Sequence, residues 1–127
     1  CLSRGLGDVY KRQRKDPCMS VRRIAQVIGV KPDDIEEYER IHADVWPTVL
    51  ATIKKANIQN YSIFRYEHLL FAYMEYTGSD FEKDMAQIAA DPETQKWWKI
   101  TAPMQVQVPE ARDGEWWHTL HQNFYLD

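Results

Sequence analysis

No stretch of this 127-residue chain comes near the ~20 consecutive apolar residues that a bilayer-spanning helix needs, so no membrane span is expected. Cysteine is almost absent. Its two copies, Cys1 and Cys18, both fall in the first eighteen residues, so the remainder is expected to have neither a disulfide nor thiolate chemistry, and a cytoplasmic address is the default. No P-loop, GxGxxG or GxSxG signature is present, which argues against nucleotide, dinucleotide and acyl-enzyme chemistry. The four histidines and the acids show no recognised metal-ligand spacing such as HExxH or an EF-hand loop. No metal and no cofactor are therefore expected. There is no internal repeat and no low-complexity tract.

The opening "CLSRGLGDVYKRQRKDPC" differs in character from the rest of the chain. It has no apolar periodicity and no apolar core of a signal peptide. "SRGLGDVYKRQ" looks like translated adapter sequence ahead of a start at Met19, with an Arg-rich targeting or nucleic-acid arm as the alternative. Residues 1–18 are read as a non-native or disordered leader, and 19–127 as one domain. Setting the leader aside removes five of the 16 Lys/Arg and two of the 19 Asp/Glu, which leaves a net charge of −6. An acidic domain suits phosphate backbones poorly, so no nucleic-acid partner is expected.

Aromatic residues are abundant, with five Trp and seven Tyr. Their large stiff faces and polar handles favour pockets. "VRRIAQVIGV" (21–30) is β-branched and bounded by "KPDD", as a first strand should be. Ile35, Tyr38, His42, Val45, Val49 and Ile53 then recur at three- and four-residue steps, one face of a helix. Pro47 lacks an N–H and pushes Trp46 towards an extended conformation. Two helical pieces, about 33–44 and 47–56, or one sharply kinked helix, are expected. "IQNYSIFRYE" (58–67) and "LLFAYMEY" (69–76) read as strands joined by a tight connection near Glu67 and His68. Leu69, Phe71 and Tyr73 share one face of the second strand, and Leu70, Ala72 and Met74 the other. Helices from one small chain cover one face, and a homodimer partner is the economical cover for the other.

"SDFEKDMAQIAADPETQKWWKI" (79–100) is expected to start on a Ser79 or Asp80 cap, with Glu82 completing a capping box, and to be interrupted at Pro92. A Pro-rich loop follows, and "HTLHQNFYL" (118–126) reads as a closing strand. The order β-α-β-β-α-β gives an α+β fold with a ferredoxin-like antiparallel sheet.

His42 follows Tyr38 by four residues, so the two share a helical face beside the Pro47 break. Its imidazole titrates near neutrality and can pass protons at cellular pH, although a lone histidine among apolar neighbours is more often a core residue. Trp97 and Trp98 diverge by about 100° on a helix, so they cannot fill one core position together. One can line a cleft while the other packs inside, and two core or interface residues is the plainer reading. Trp116 and Trp117 suit a lid or a dimer contact. Tyr61 and Tyr38 carry hydroxyls that could meet a polyol. Gln26 and Glu75 are polar residues in apolar strands, each needing a buried partner or a wet cavity.

The ordered motifs "EEYERIHADVWP", "NYSIF", "LLFAYMEY", "KWWK" and "FYLD", running from about residue 21 to 127, resemble the L-rhamnose mutarotase family. The pattern departs from many relatives at Thr48, where they have Glu, and the "GEWWHTLHQNFYLD" end resembles one branch of the family. The resemblance implies a cytoplasmic, cofactor-free enzyme, built as a dimeric α/β barrel, that interconverts α and β anomers of a 6-deoxyhexopyranose, L-rhamnose above all. By motif it makes His42 the proton donor and gives Tyr38, Tyr61, Trp97 and Trp98 to the sugar. Two rivals stand beside it: a cofactor-free monooxygenase of related fold, and a non-catalytic dimeric ligand-binding or assembly module whose tryptophans anchor an interface.

Overall fold

A computed structural model describes residues 21–127. The leader, its cysteines and the start at Met19 lie outside the described residues. Strand β1 (Arg22–Val30) leads through a 3₁₀ turn (Pro32–Asp34) into α1 (Ile35–His42) and α2 (Pro47–Lys55). Strands β2 (Ile58–Tyr66) and β3 (Leu69–Tyr76) form a hairpin. Helices α3 (Phe81–Ala90) and α4 (Pro92–Thr101) follow, then a 3₁₀ turn and two short strands, β4 (Gln105–Val106) and β5 (His118–Thr119). The strands run in the order β2-β3-β1-β4, with β5 also against β1, and every pairing is antiparallel. This is the ferredoxin-like α+β arrangement, each helical segment of the β-α-β-β-α-β order being a broken pair.

Both breaks are made by proline. Pro47 does not kink a helix; it begins one, at a first position whose N–H would be unbonded anyway. Trp46 before it is extended, at φ −56° and ψ 132°, as the proline ring requires. Pro92 likewise begins α4, behind Asp91, whose carboxylate accepts from both the Thr94 N–H and the Thr94 hydroxyl at 2.9 Å.

The core lies between the helices and one face of the sheet. Ile24, Met74, Tyr76 and Ile58 pack against Ile53, Phe81, Met85 and Ile88, while Ile28, Val30, Leu70 and Tyr38 pack against Ile35, Ile63, Met104 and Trp117. Ile28 and Leu70 are sealed from solvent, and burial of each stabilises by about 1.5–3 kcal/mol. Gly29 sits where β4 crosses closely: a Cβ there would lie 2.8 Å from the Val106 carbonyl oxygen. The opposite sheet face carries Phe64, Phe71 and Tyr66, and Phe64 and Tyr66 are more than 60% exposed.

A bulge in β2 changes which side chains face the helices. Gln59 pairs with Glu75 and Ser62 with Tyr73, so Asn60 and Tyr61 together oppose Met74. Asn60 takes the left-handed conformation, φ 48°, which asparagine tolerates better than most residues. The extra residue shifts the alternation by one. Ile58 faces inward before the bulge, and Tyr61 and Ile63 face inward after it.

The chain's C-terminal part departs from expectation. "HTLHQNFYL" is not a strand from 118 to 126: only His118 and Thr119 pair, with Val27 and Gln26. The Leu120 N–H adds one bond to the Ala25 carbonyl. The tail then leaves the sheet edge, and the Tyr125 ring lies 3.8 Å from the Arg23 guanidinium. Part of the β1 edge belongs instead to Gln105–Val106, in the stretch read as loop. Of the two expected caps for α3, Asp80 is the one observed, its carboxylate accepting from the Lys83 N–H; the capping box from Ser79 to Glu82 does not form.

Candidate functional site

A cavity of about 740 Å³ opens between the helices and the sheet, within the range usual for small-molecule sites. Each of the five residues singled out in the sequence, His42, Tyr38, Tyr61, Trp97 and Trp98, lines it. Val45, Val49, Leu50, Ile53, Ile63, Met74, Met85 and Ile88 give it an apolar lining, with Gln26, Thr94, Thr101 and Gln105 among the polar exceptions.

His42 ends α1, where the chain turns away before Pro47. Its Nδ1 lies 2.8 Å from the Tyr38 carbonyl oxygen. A carbonyl only accepts, so Nδ1 carries hydrogen, and in the neutral ring Nε2 is left as the bare nitrogen. Tyr38 stacks on the imidazole, centroids 4.1 Å apart and planes 19° from parallel. Trp97 meets it edge-on at 5.3 Å and meets Trp46 edge-on at 5.2 Å. Burial among these rings holds the imidazole pKa below its ordinary value, against the opposing pull of the carbonyl bond. The neutral form of His42 is therefore favoured at pH 7.

Tyr38 is buried, and its oxygen accepts from Gln105 Nε2 at 3.0 Å. Burial raises its pKa more than that bond lowers it. Tyr61 is 40% exposed as a residue, but its hydroxyl end is desolvated, which with nearby Tyr38 pushes its pKa up to about 12. Both phenols are donors at any cellular pH. Trp97 is buried, and Trp98, one position on, is 44% exposed, as helical divergence requires.

Gln26 lies on the cavity side of β1 and reaches the Thr119 hydroxyl at 3.4 Å. Glu75 lies on the opposite face of the sheet, where Gln59, Asn60 and Tyr73 all donate to it and hold its pKa down. Gln105 is the site residue that sequence reasoning missed. Its only signal is the alternation "QVQV" from 105 to 108, which a proline-rich surrounding masks. Among the described residues, no group of three or more His, Cys, Asp or Glu could hold a metal ion. No described helix is long and apolar enough to cross a membrane.

A ferredoxin-like sheet whose cavity holds a histidine and is walled by indoles and phenols has the make-up of a small-molecule site suited to acid–base chemistry. Similarity to known proteins sharpens this. The family model described as L-rhamnose mutarotase matches residues 23–126. The L-rhamnose mutarotase of Bacillus subtilis (strain 168) is 37% identical over 113 residues, covering 84% of this chain and all of that protein. Among solved structures, L-rhamnose mutarotase FA22100 from Formosa agariphila superposes with a TM-score of 0.66 at 22% identity, over 84% of this chain and 99% of the other. Tetracenomycin F2 cyclase from Streptomyces glaucescens shares the fold, with a TM-score of 0.59 at 18% identity, over 84% of this chain and 97% of that one. The chain belongs to the L-rhamnose mutarotase family, and it is a carbohydrate isomerase of the mutarotase class.

Proposed function

We propose that this mutarotase acts on a 6-deoxyhexopyranose, L-rhamnose first, and that His42 moves the proton. The observation that carries the reading is the fixed tautomer of His42, which leaves a neutral Nε2 for the cavity. Ring opening needs the anomeric O1–H proton removed, the C1–O5 bond broken and a proton delivered to O5. O1 and O5 are bonded to the same carbon, so one nitrogen can serve both. Nε2 takes the O1 proton as C1 becomes an aldehyde, and the imidazolium then gives it to O5. Rotation about C1–C2 turns the other aldehyde face to O5. Reclosure runs the same transfers backwards, and His42 ends neutral. It is acceptor and then donor within one turnover, which includes the donor role that the family resemblance implies.

Tyr38 and Tyr61 stabilise the charge on oxygen by donating hydrogen bonds, keeping their own protons as their raised pKa values require. Trp97 and Trp98 offer flat faces to sugar C–H groups. The extensive apolar lining favours a sugar with a methyl group at C6 over one with a hydroxymethyl. Positioned acid–base catalysis of this kind contributes about 10²–10⁴-fold. Exchange between anomers followed by NMR at equilibrium, with L-rhamnose, L-fucose and D-glucose, tests the reading. Equal rates with and without protein for all three would contradict it.

The enzyme works as a homodimer in the cytoplasm on this reading. The sheet face bearing Phe64, Tyr66 and Phe71, with Phe64 and Tyr66 exposed in the single chain, supports a second copy as its cover.

A further inference from the structure

The buried amide of Gln105 has two partners. Its Oε1 accepts from Trp116 Nε1 at 2.6 Å, and its Nε2 donates to the Tyr38 oxygen at 3.0 Å. An indole N–H only donates, so the amide oxygen must face Trp116 and the amide nitrogen must face Tyr38. The Tyr38 oxygen is thereby an acceptor towards Gln105, and its own O–H points to some other acceptor. We infer that Trp116 and Gln105 are positioning residues that set the direction of the Tyr38 hydroxyl, committing its proton to the oxygen of a sugar bound in the cavity. This rests on the assignment of Tyr38 to the sugar.

Trp116 is itself held by its loop. The Glu115 carboxylate accepts from the Arg112 and Thr119 backbone N–H groups and from His118 Nδ1. That clasp ties residues 112–119 together, and Gln107 Nε2 donates to the Glu115 carbonyl. A segment outside the helices thus fixes the polarity of a hydroxyl inside the cavity. Replacing Gln105 by Glu keeps the shape and reverses the polarity. A carboxylate accepts from Trp116 and from Tyr38 alike, so the phenol proton turns away from the sugar.

Gln105→Glu, Trp116→Phe and the unsubstituted protein are compared by anomer-exchange NMR between pH 5 and pH 8, with thermal unfolding as the fold control. For Gln105→Glu the maximal rate at pH 8 should fall roughly tenfold, with KM changed less. The ratio to the unsubstituted rate should climb towards one as pH drops and the new carboxyl protonates, since a protonated Glu can donate to Tyr38 again. Trp116→Phe frees the amide to flip and should lose several-fold in maximal rate at every pH. A folded Gln105→Glu protein with an unchanged maximal rate, or a loss that does not vary with pH, overturns the inference. If Gln105→Glu does not fold, Trp116→Phe decides: retention of the full rate overturns it. Absence of any acceleration by the unsubstituted protein contradicts the mutarotase reading instead, so the two failures are distinguishable.

Discussion

The His42 imidazole lies 4.1 Å from the Tyr38 ring and nearly parallel to it, while its Nδ1 bonds to the carbonyl of the same residue. One tyrosine thus fixes both the plane and the tautomer of the histidine. Burial between Tyr38 and Trp97 holds the imidazole pKa below 6.5, so neutral His42 is the working form. The acceleration of anomer exchange should be flat around pH 7–8 and fall as pH drops through the lowered value. Stability follows with the same sign. Between the folded value and 6.5 the unfolded chain binds the additional proton, so stability rises with pH across that window and is lost below it. In a His42→Ala protein both the acid limb of the rate and this part of the stability profile should vanish, which parallel rate and thermal-unfolding profiles read directly.

Trp97 and Trp98 should separate when substituted. Trp97 is buried against His42 and Trp46, so Trp97→Ala should cost about 3–5 kcal/mol of stability. Trp98 is 44% exposed, so Trp98→Ala should fold with a near-normal denaturation midpoint and raise KM for the sugar. Urea titration paired with saturation kinetics checks both.

Asn60 sits at φ 48°, and the bulge it permits is what turns Tyr61 towards the helices. Asn60→Val should lose about 1–2 kcal/mol from the left-handed strain alone and weaken sugar binding by displacing Tyr61. Asn60→Gly, which adopts that conformation freely, should keep both. Equal behaviour of the two variants would leave the bulge without a role in sugar binding.

Glu115 accepts three hydrogen bonds from its own loop together with the Arg112 guanidinium, which holds its pKa at about 2 against an ordinary 4.5. Its contribution to stability is present above pH 4.5 and lost as pH falls towards 2. The thermal-midpoint difference between the unsubstituted protein and Glu115→Gln should therefore shrink steadily as the pH is lowered from 5 to 3.

Phe64 is 63% exposed and lies across from Phe71 on the bare sheet face. A charge there should prevent a second copy from seating. Sedimentation should give twice the monomer mass for the unsubstituted protein and the monomer mass for Phe64→Asp. A monomer in both cases contradicts the proposed dimer.

Much of this was legible because local rules and tertiary structure agree. The three- and four-residue steps from Ile35 to Ile53 pick out Tyr38, His42, Val45, Val49 and Ile53, and all five line the cavity although the helix breaks between His42 and Pro47. Pro47 and Pro92 read as breaks and prove to be helix starts. Long-range geometry was not legible. Nothing local says that Gln105 lies 3.0 Å from a hydroxyl 67 residues earlier, because that contact depends on the β1–β4 register and on Gly29 admitting the crossing. The closing strand failed for a related reason. "HTLHQNFYL" has the residues of a strand, but its N-terminal end alone meets the β1 edge, while Tyr125 stacks on Arg23. Tyr61 faces the cavity through a one-residue register shift, which strict alternation cannot foresee.

The most direct test of the central claim is the rate of α-to-β exchange of L-rhamnose at pH 7.5, measured by NMR with the unsubstituted protein and with His42→Ala at equal concentration. The predicted result is acceleration by the first and a loss of about 10²–10⁴-fold in the second, with both proteins folded. A folded His42→Ala protein that exchanges the anomers at the full rate would contradict it.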